Sequence, residues 1–414
     1  MHMNDQPDPE IQLLIPSGDD ASLLPEISIV VPALNEQLTI AEFISWCKEG
    51  LKAAGARGEI LIVDSSTDKT AEIALANGAR VLKTPKRGLG RAYIDALPYV
   101  RGPYVLMGDC DCTYDFRQLK PFHDKFKEGY EYIMGSRFKG TIEAGSMPPL
   151  HQYLGTPVTT WILNVIFGSH FSDIHCGMRG ITRDAFLRLD LKSQAWEYAS
   201  ELVLKSVRMG LKTAEVPISF LKDKDGRLSH HKRSGWWSPW HAAWINLRAM
   251  FVYGADFFLL KPGIFILALG AARTLPLALG PLTLGPVTFS LYWMLLGVCL
   301  SVLGLQCVYM GMISQVVLDF HGRHTTRWSR LFPYTPSVLA AVATCMAGAA
   351  LCIPLAYNYV QNGLSFQDRP EPWSHLAVLG LLLMIGGFMH FTFTLLLHAG
   401  AMAVSDRLKR ITGK

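Results

Sequence analysis

The sequence has few of the cysteine patterns that build zinc sites or disulfide frameworks. Its 414 residues include eight cysteines and no C-x-x-C pair. Four of them, Cys299, Cys307, Cys345 and Cys352, fall in apolar stretches. The other four show no spacing typical of a secreted, disulfide-rich domain. This usage argues against a structural zinc module and favours a reducing, cytoplasmic location for the soluble part.

Two common nucleotide-binding fingerprints are also missing. No G-x-G-x-x-G follows the first predicted strand, and no Walker-type G-x-x-x-x-G-K-[ST] occurs. The first absence removes the main support for a dinucleotide-binding domain, and the second removes that for a P-loop NTPase.

Formal charge is nearly absent from the second half of the chain. Residues 274–318, 331–367 and 376–405 contain no Asp, Glu, Lys or Arg, whereas the first 260 residues mix charged and apolar types. A bilayer-spanning helix needs about 20 apolar residues. We therefore expect a soluble α/β domain followed by a multi-pass membrane domain of about four helices. The predicted spans are 263–281, 286–312, 334–359 and 376–402.

The loops between these spans predict an orientation. The 320–331 linker holds three arginines and no acid, and the 405–414 tail holds four basic residues against one Asp. The 361–375 loop holds two acids and one arginine. The positive-inside rule therefore predicts that the soluble domain is cytoplasmic and that the chain sits in the cell membrane. The first 25 residues lack the features of a signal peptide and are predicted to form a flexible arm.

Strands and helices alternate between residues 27 and 107, which is typical of a parallel, doubly wound sheet. The first strand is predicted to end near Asn35 and Glu36, which open a helix. Asp64 ends the next strand, and Asp109 and Asp111 follow a later one. Ligands of such sheets bind at the carboxyl ends of the strands, so these side chains are expected to line one crevice.

The stretch "GDCDCTYDF" (108–116) alternates carboxylates with cysteines directly after the apolar run "YVLM". If the strand continues, Cys110 and Cys112 point away from the face that carries Asp109 and Asp111, which favours packing roles for both cysteines. Paired carboxylates supply hard oxygen ligands, which suit Mg²⁺ or Mn²⁺. We therefore expect Asp109 and Asp111 to hold such a metal against a phosphorylated ligand.

Five motifs occur in an order that resembles a known family. These are "VVPALNE", "LIVDSSTDKT", "GDCDCTYD", "GSRF" and "DIHCGMRG". Over residues 26–225 the chain is similar to family 2, GT-A-type glycosyltransferases, and among them to dolichol-phosphate mannose synthases and bacterial polyprenyl-phosphate glucosyltransferases. The resemblance implies a GT-A domain, which is Rossmann-like and binds nucleotide-diphospho-sugars, over 26–233. The membrane domain would follow at 261–414.

The resemblance also assigns roles to individual residues. It implies a nucleotide-sugar pocket with Pro32, Asn35, Glu36, Asp64, Asp68, Asp109 and Arg137, and a Mg²⁺ or Mn²⁺ site at Asp109 and Asp111. It implies that Asp173, Gly177 and Arg179 lie beside the donor sugar and the acceptor, and that Glu201, also a candidate catalytic residue, belongs to the helix that closes the domain. Arg227, Ser229 and Lys232 would belong to a loop near the lipid phosphate. Thr113 stands where the family usually has an acid or amide, and "VDSSTDKT" is one residue shorter than the family pattern.

Two further segments have alternative interpretations. Gly88, in "KRGLGRAY", has two interpretations. It either belongs to an ordinary helix start or lets backbone N–H groups approach the nucleotide-sugar donor. Residues 234–260 are predicted to form interfacial amphipathic helices, with Trp237, Trp240, Trp244, Leu247 and Phe251 on one face. A core-facing stripe is the alternative, but tryptophan beside nearby lysines and arginines is more typical of the headgroup level of a membrane.

The resemblance implies an inverting transfer of a hexose from UDP-glucose or GDP-mannose to a polyisoprenyl phosphate. A phosphate acceptor is largely dianionic at neutral pH and needs no base. A lipid hydroxyl would need one, and Asp173, Glu197 and Glu201 are the candidates. A glycolipid synthase and a non-catalytic flippase or scaffold remain alternatives. A processive polysaccharide synthase is disfavoured, because its Q-x-x-R-W motif is missing.

The expected partners are a nucleotide sugar, a polyisoprenyl phosphate and the bilayer, and no nucleic acid. The four spans can anchor the chain, bind lipid or build a homo-oligomer, and the charge pattern does not choose among these.

Overall fold

The structure is a computed structural model that describes residues 8–19, 22, 24–195, 197–224, 238–365 and 372–412. The chain divides into two compact units, Met1–Val252 and Tyr253–Lys414. The division falls inside the predicted interfacial segment, 234–260.

The first unit contains one eight-stranded sheet. Its strands are β1 (Gln12–Leu14), β2 (Ile27–Ala33), β3 (Gly58–Asp64), β4 (Arg80–Lys83), β5 (Tyr104–Met107), β6 (Tyr132–Ile142), β7 (Arg179–Thr182) and β8 (Thr213–Phe220), in the order β1-β4-β3-β2-β5-β7-β6-β8. The central strands β4, β3, β2 and β5 are parallel, as predicted. The flanking strands outside the predicted range are antiparallel to their neighbours: β1 to β4, and β7 to both β5 and β6.

The helices before the second unit are α1 (Ile40–Ala54), α2 (Thr70–Ala76), α3 (Leu89–Ala96), α4 (Lys120–Lys127), α5 (Thr156–Phe167), α6 (Arg183–Leu189), α7 (Tyr198–Arg208) and α8 (Ser238–Tyr253). The apolar runs of β2 and β3 are buried almost throughout, as expected for parallel strands covered on both faces. Phe43, Ile44 and Cys47 of α1 are buried in the same core.

Part of the predicted flexible arm belongs to the sheet. Gln12 pairs with Lys83 across β1 and β4, which gives the sheet an antiparallel edge strand. Asp8 forms an ion pair with Arg87, and Asp19 pairs with Arg101 at 2.7 Å. The arm is therefore held by strand pairing at the edge of the sheet and by surface ion pairs. Neither kind of contact can be recognised from the hydropathy of the sequence.

Among the described residues of the second unit, four helices are long and apolar enough to cross a membrane. Its elements are α9 (Ala255–Thr274), β9 (Leu282–Leu284), β10 (Val287–Phe289), α10 (Leu291–Val317), α11 (Arg323–Leu331), α12 (Tyr334–Gln361) and α13 (Pro372–Thr412). The first span, α9, lies earlier than predicted, at 255–274 in place of 263–281, and the hairpin at 282–289 moves the start of the second span from the predicted residue 286 to Leu291. Arg273 is therefore near the end of α9, where its guanidinium lies 5.6 Å from the centre of the Trp293 ring.

Glycines at seven-residue intervals bring α9 and α10 close together. They are Gly263 and Gly270 on α9, and Gly297, Gly304 and Gly311 on α10. A Cβ added at Gly304 would lie 2.3 Å from the backbone nitrogen of Leu267. Small residues at helix interfaces allow this approach in a membrane, where the hydrophobic effect does not drive helices together.

Candidate active site

The acidic motif forms a turn after β5. The strand ends at Met107, and Cys112 adopts a left-handed φ of 62°. Asp109 is exposed and Asp111 half-buried, whereas Cys110 and Cys112 are buried. The predicted separation of carboxylates from thiols is therefore observed. This separation results from the turn. The prediction relied on the alternation of side chains along a strand, but β5 ends at Met107, before these residues.

Thr113 holds one of the two carboxylates. Its backbone N–H and its hydroxyl both donate to Oδ1 of Asp111, at 3.0 and 2.6 Å. Thr113 is buried, so this position, where the resemblance leads one to expect an acid or amide, orients Asp111.

Gly177 brings the D-x-x-x-G-x-R segment to the acidic turn. A Cβ added at Gly177 would lie 2.7 Å from Oδ2 of Asp109, so only glycine fits there without a shift. The Gly177 N–H donates to the hydroxyl of Tyr114 at 2.8 Å. Two motifs that are about 65 residues apart in sequence therefore meet at this edge of the sheet.

Asp173 is fully buried and paired with Arg137. Nε of Arg137 donates to Oδ2 at 2.7 Å, Nη2 donates to Oδ1 at 2.8 Å, and the Arg137 backbone N–H donates to Oδ2 at 3.1 Å. Such a bidentate pair fixes both orientation and charge. The structure thus joins two predicted site residues to each other.

Arg179 is buried at the start of β7 and holds backbone carbonyls together. Its side-chain nitrogens donate to the carbonyls of Cys176 and Ala199 at 2.7 Å and to that of Ile174 at 3.0 Å. These bonds connect the segment before β7 to α7. A phosphate contact by Arg179 stays a prediction, and it would require some of these bonds to be exchanged.

Glu201 is likewise buried in α7. It accepts hydrogen bonds from the backbone N–H groups of Ser193 (2.7 Å) and Lys192 (3.0 Å), and it pairs with Lys205 at 2.7 Å. Burial would raise the pKa of Glu201, but the hydrogen bonds from Lys205 and Ser193 outweigh it and lower the pKa. Glu197, by contrast, is half-buried and precedes the first turn of α7.

The loop that Glu201 holds rests against Gly88 and Gly90. Gly88 has a φ of +114°, and a Cβ there would lie 2.4 Å from the Gln194 carbonyl oxygen. A Cβ at Gly90 would lie 2.2 Å from the Ser193 carbonyl oxygen. The two glycines therefore accommodate a neighbouring loop, which neither sequence interpretation of "KRGLGRAY" included.

The loops after β2 and β3 are bonded to each other. Asn35, with a φ of 58°, is exposed; its N–H donates to Oγ of Ser66 at 2.7 Å, and its Oδ1 accepts from the Thr67 N–H at 3.0 Å. The N–H of buried Glu36 donates to Oγ1 of Thr70 at 2.9 Å. The prediction that Asn35 and Glu36 open a helix is wrong, because α1 begins at Ile40 and this stretch instead forms the loop–loop contact.

Three other predicted pocket residues lie close to this contact. Asp68 accepts from the Thr70 N–H at 3.0 Å at the start of α2. Asp64 is buried at the end of β3 and accepts from the Ser66 N–H at 3.2 Å, and burial raises the pKa of Asp64. Pro32 is half-buried in β2, where its carbonyl accepts from Sγ of Cys110 at 3.5 Å.

The predicted metal site can be tested for fit. In the part of the chain that the structure describes, no group of three or more His, Cys, Asp or Glu side chains could hold a metal ion. Asp109 and Asp111 present two hard oxygen donors on an accessible turn, which fits a Mg²⁺ or Mn²⁺ whose other ligands come from a phosphorylated substrate and water. The predicted loop residues Arg227, Ser229 and Lys232 lie outside the described residues.

His175 and α5 were not singled out in the sequence. Nε2 of His175 lies 2.8 Å from Oγ1 of Thr159, and Asn164 bonds both the N–H and the carbonyl of Phe171. Burial lowers the pKa of His175 to about 4. Only the fold brings these residues together, since no local spacing links α5 to the segment before β7.

Comparison with known proteins identifies the family. A model described as "Glycosyl transferase family 2" matches residues 28–189, and one described as "Glycosyltransferase family 2 C-terminal transmembrane region" matches residues 315–401. The low-salt glycan biosynthesis hexosyltransferase Agl6 of Haloferax volcanii is 33% identical over 89% of each chain. A dolichyl-phosphate hexose transferase of the same organism is 29% identical over 47% of this chain and 82% of its own.

Among solved structures, a glucosyl-3-phosphoglycerate synthase from Mycobacterium tuberculosis matches 56% of this chain and 80% of its own, with 21% identity and a TM-score of 0.42. The 33% identity to the Agl6 hexosyltransferase over 89% of each chain, together with the family model, shows that the protein belongs to glycosyltransferase family 2. It combines a GT-A-like mixed-sheet domain with a C-terminal transmembrane region, and it is a membrane protein.

Proposed function

We propose that this enzyme moves a hexose from a nucleotide diphosphate sugar, UDP-glucose or GDP-mannose, to a polyisoprenyl phosphate, with inversion at the anomeric carbon. The printed names of the two Haloferax volcanii relatives, a hexosyltransferase and a dolichyl-phosphate hexose transferase, support the class of reaction. The geometry around β5 and β7 supports the choice of acceptor.

The donor would bind across the carboxyl ends of β2, β3 and β5. Asn35, Glu36 and Asp64 would line the nucleotide pocket, and the hydrogen bonds between the loops after β2 and β3 support this by holding the two loops together. Asp109 and Asp111 would hold Mg²⁺ or Mn²⁺ against the diphosphate. When bound, the metal supplies the positive charge that stabilises the departing diphosphate.

The state of the carboxylates carries the argument about the acceptor. A hydroxyl acceptor needs a general base within reach of its proton. Asp173 is fully buried in a bidentate pair with Arg137, and Glu201 is buried against Lys205 and two backbone N–H groups. Two of the three candidate bases are thus committed to structural contacts, which favours an acceptor that needs no base.

A phosphate monoester meets that condition. Its second pKa is about 6, so at neutral pH the phosphate is largely dianionic and can attack the anomeric carbon without a general base. One of its oxygens forms a bond to the anomeric carbon while the bond from that carbon to the diphosphate breaks, and the nucleoside diphosphate leaves. No proton has to move in this step. Arg137, held by Asp173, would contribute positive charge near the diphosphate.

We further propose that the first unit faces the cytoplasm. α11, between the second and third spans, carries Arg323, Arg327 and Arg330 and no acidic residue. Basic connecting segments remain on the cytoplasmic side in most membrane proteins. Accessibility of cysteines introduced at 323 and 364 to a membrane-impermeant reagent in intact cells and in inverted vesicles tests this orientation.

A transfer assay on the purified full chain tests the function. Labelled UDP-glucose and GDP-mannose are offered with Mg²⁺ or Mn²⁺ to polyprenyl phosphate and, separately, to diacylglycerol. We expect an acid-labile product on polyprenyl phosphate only, no product with a chelator, and persistence of transfer in Glu197→Gln. Asp124→Asn, which alters an exposed carboxylate paired with Lys120, is the matched control for a carboxylate change.

The outcomes separate the alternatives. Label on diacylglycerol that is lost in Glu197→Gln would replace the proposal with a base-assisted hydroxyl transfer. Absence of label from every donor and acceptor pair, with the protein folded, would favour the non-catalytic scaffold.

A further inference from the structure

One helix of the catalytic unit exposes an unusually large apolar surface. A π-helical turn, His151–Gly155, runs directly into α5. The outward side chains of this run are 43–76% exposed and recur at helical spacing: Leu150, Tyr153, Leu154, Val158, Trp161 and Val165. We call these six residues the apolar face.

The surrounding sequence is equally unusual for a surface exposed to water. Residues 144–172 contain no Asp, Glu, Lys or Arg. Most exposed helices of soluble domains carry charged residues on the outward face. A Trp and a Tyr among exposed aliphatic side chains form the composition that settles at the boundary between lipid headgroups and acyl chains.

The opposite side of α5 is bonded to the candidate site. Thr159 bonds His175 at 2.8 Å, and Asn164 bonds the backbone of Phe171 at 2.8 and 3.1 Å. The segment thus held, 171–177, contains Asp173, the partner of Arg137, and ends at Gly177 beside Asp109. A displacement of α5 would therefore move the 171–177 segment, which these hydrogen bonds attach to it, relative to the acidic turn.

We propose that the apolar face lies in the interfacial layer of the bilayer, and that this contact positions the 171–177 segment for transfer to a lipid acceptor. The occupant is lipid, because the four spans of the same chain keep the protein in the membrane and no residue of 144–172, the stretch that contains the face, carries a formal charge. The role in positioning rests on the proposed function, whereas the membrane contact does not.

Fluorescence of the full chain in nanodiscs tests the contact without any turnover. Nanodiscs are prepared with ordinary or with brominated acyl chains, since bromine quenches tryptophan at short range. Trp161→Phe should remove several-fold more of the quenchable emission than Trp46→Phe. Trp46 is the matched control, because it belongs to the same unit but is half-buried, with the guanidinium of Arg117 4.3 Å from its ring centre.

Kinetics then test the positioning role. We expect Tyr153→Gln combined with Trp161→Gln to raise KM for the lipid acceptor about tenfold, with KM for the nucleotide sugar unchanged. Trp161→Leu, which keeps an apolar side chain, should leave KM for the lipid acceptor much closer to the wild-type value. Leu187→Gln on α6, at a position that is 47% exposed, is the control for a polar change on another surface.

Equal quenching losses in the two Phe variants would overturn the assignment of α5 to the membrane. Absence of quenching at Trp161, together with concentration-dependent dimerisation that the Gln variant abolishes, would assign the face to a second copy instead. If quenching is as expected but both KM values stay at wild-type level in a folded Gln variant, the positioning role is wrong.

Discussion

The acidic residues at this edge of the sheet fall into two regions with opposite surroundings. In the turn after β5, Asp109 is exposed and Asp111 is half-buried, and buried Thr113 holds the latter. Around β7, Asp173 and Glu201 are 0% and 1% exposed and face cationic partners of their own chain. The first region is accessible to a ligand, whereas the charges of the second are buried in ion pairs within the fold.

The comparison shows why a list of motif residues does not assign roles. Asp111 and Asp173 are the same residue type and belong to motifs of one family resemblance. Burial without a partner would cost an ionised carboxylate several kcal/mol, so the carboxylates around β7 require Arg137 and Lys205. The carboxylates of the turn are more accessible, and in the proposed function they would hold the cation.

The largest effect should come from breaking the buried pair. Asp173→Asn leaves the Arg137 guanidinium buried without its counter-charge, and we expect the free energy of unfolding to fall by about 3–5 kcal/mol. Denaturant unfolding of the full chain in detergent measures this. Unchanged stability together with lost transfer would contradict the structural role of Asp173 and restore it as a candidate base.

A change in the turn after β5 should lower activity and leave stability unchanged. Asp111→Asn removes a predicted metal ligand, and we expect kcat/KM to fall about 10²–10³-fold while the unfolding midpoint is unchanged. Measuring both transfer and unfolding for Asp111→Asn and Asp173→Asn compares the two variants in kcat/KM and in stability. A loss of stability as large as that of Asp173→Asn would show that the two regions do not differ in this way.

A smaller perturbation acts where the two regions touch. In Gly177→Ala the new Cβ would lie 2.7 Å from Oδ2 of Asp109, so the carboxylate has to move. We expect the metal concentration for half-maximal activity to rise about tenfold, the equivalent of 1.4 kcal/mol. Gly386→Ala, where the nearest atom is 3.7 Å away, is the control, and an unchanged metal requirement in Gly177→Ala would argue against Asp109 as a ligand.

The smallest expected effect concerns pH. The pKa of His175 falls from 6.5 to about 4 on folding, so the unfolded state binds more protons between these values. Stability should therefore fall as the pH drops from 6.5 to 4, by on the order of 1 kcal/mol for a half-buried imidazole. Thermal unfolding against pH measures the slope, which should flatten in His175→Asn but persist in a variant of exposed His170, namely His170→Asn.

Much of the fold could be predicted from local patterns. The apolar strands before Asp64 and Asp109 and the three charge-free spans follow directly from periodicity and composition. The displaced first span, the edge strand at Gln12–Leu14 and the antiparallel β7 could not be predicted in the same way. The edge strand and β7 depend on pairing between residues far apart in the chain, and hydropathy and spacing contain no signal for that pairing.

The sequence by itself determined which chemical groups this protein has: an ordered set of family 2 motifs, a hard-oxygen pair at Asp109 and Asp111, and a membrane region. Only the tertiary structure decided how those groups are used. It paired Asp173 with Arg137, turned Arg179 toward backbone carbonyls, and placed Gly177 against Asp109. The reason is physical: the role of a charged side chain depends on its burial and its partners, and both are set by contacts across the whole domain.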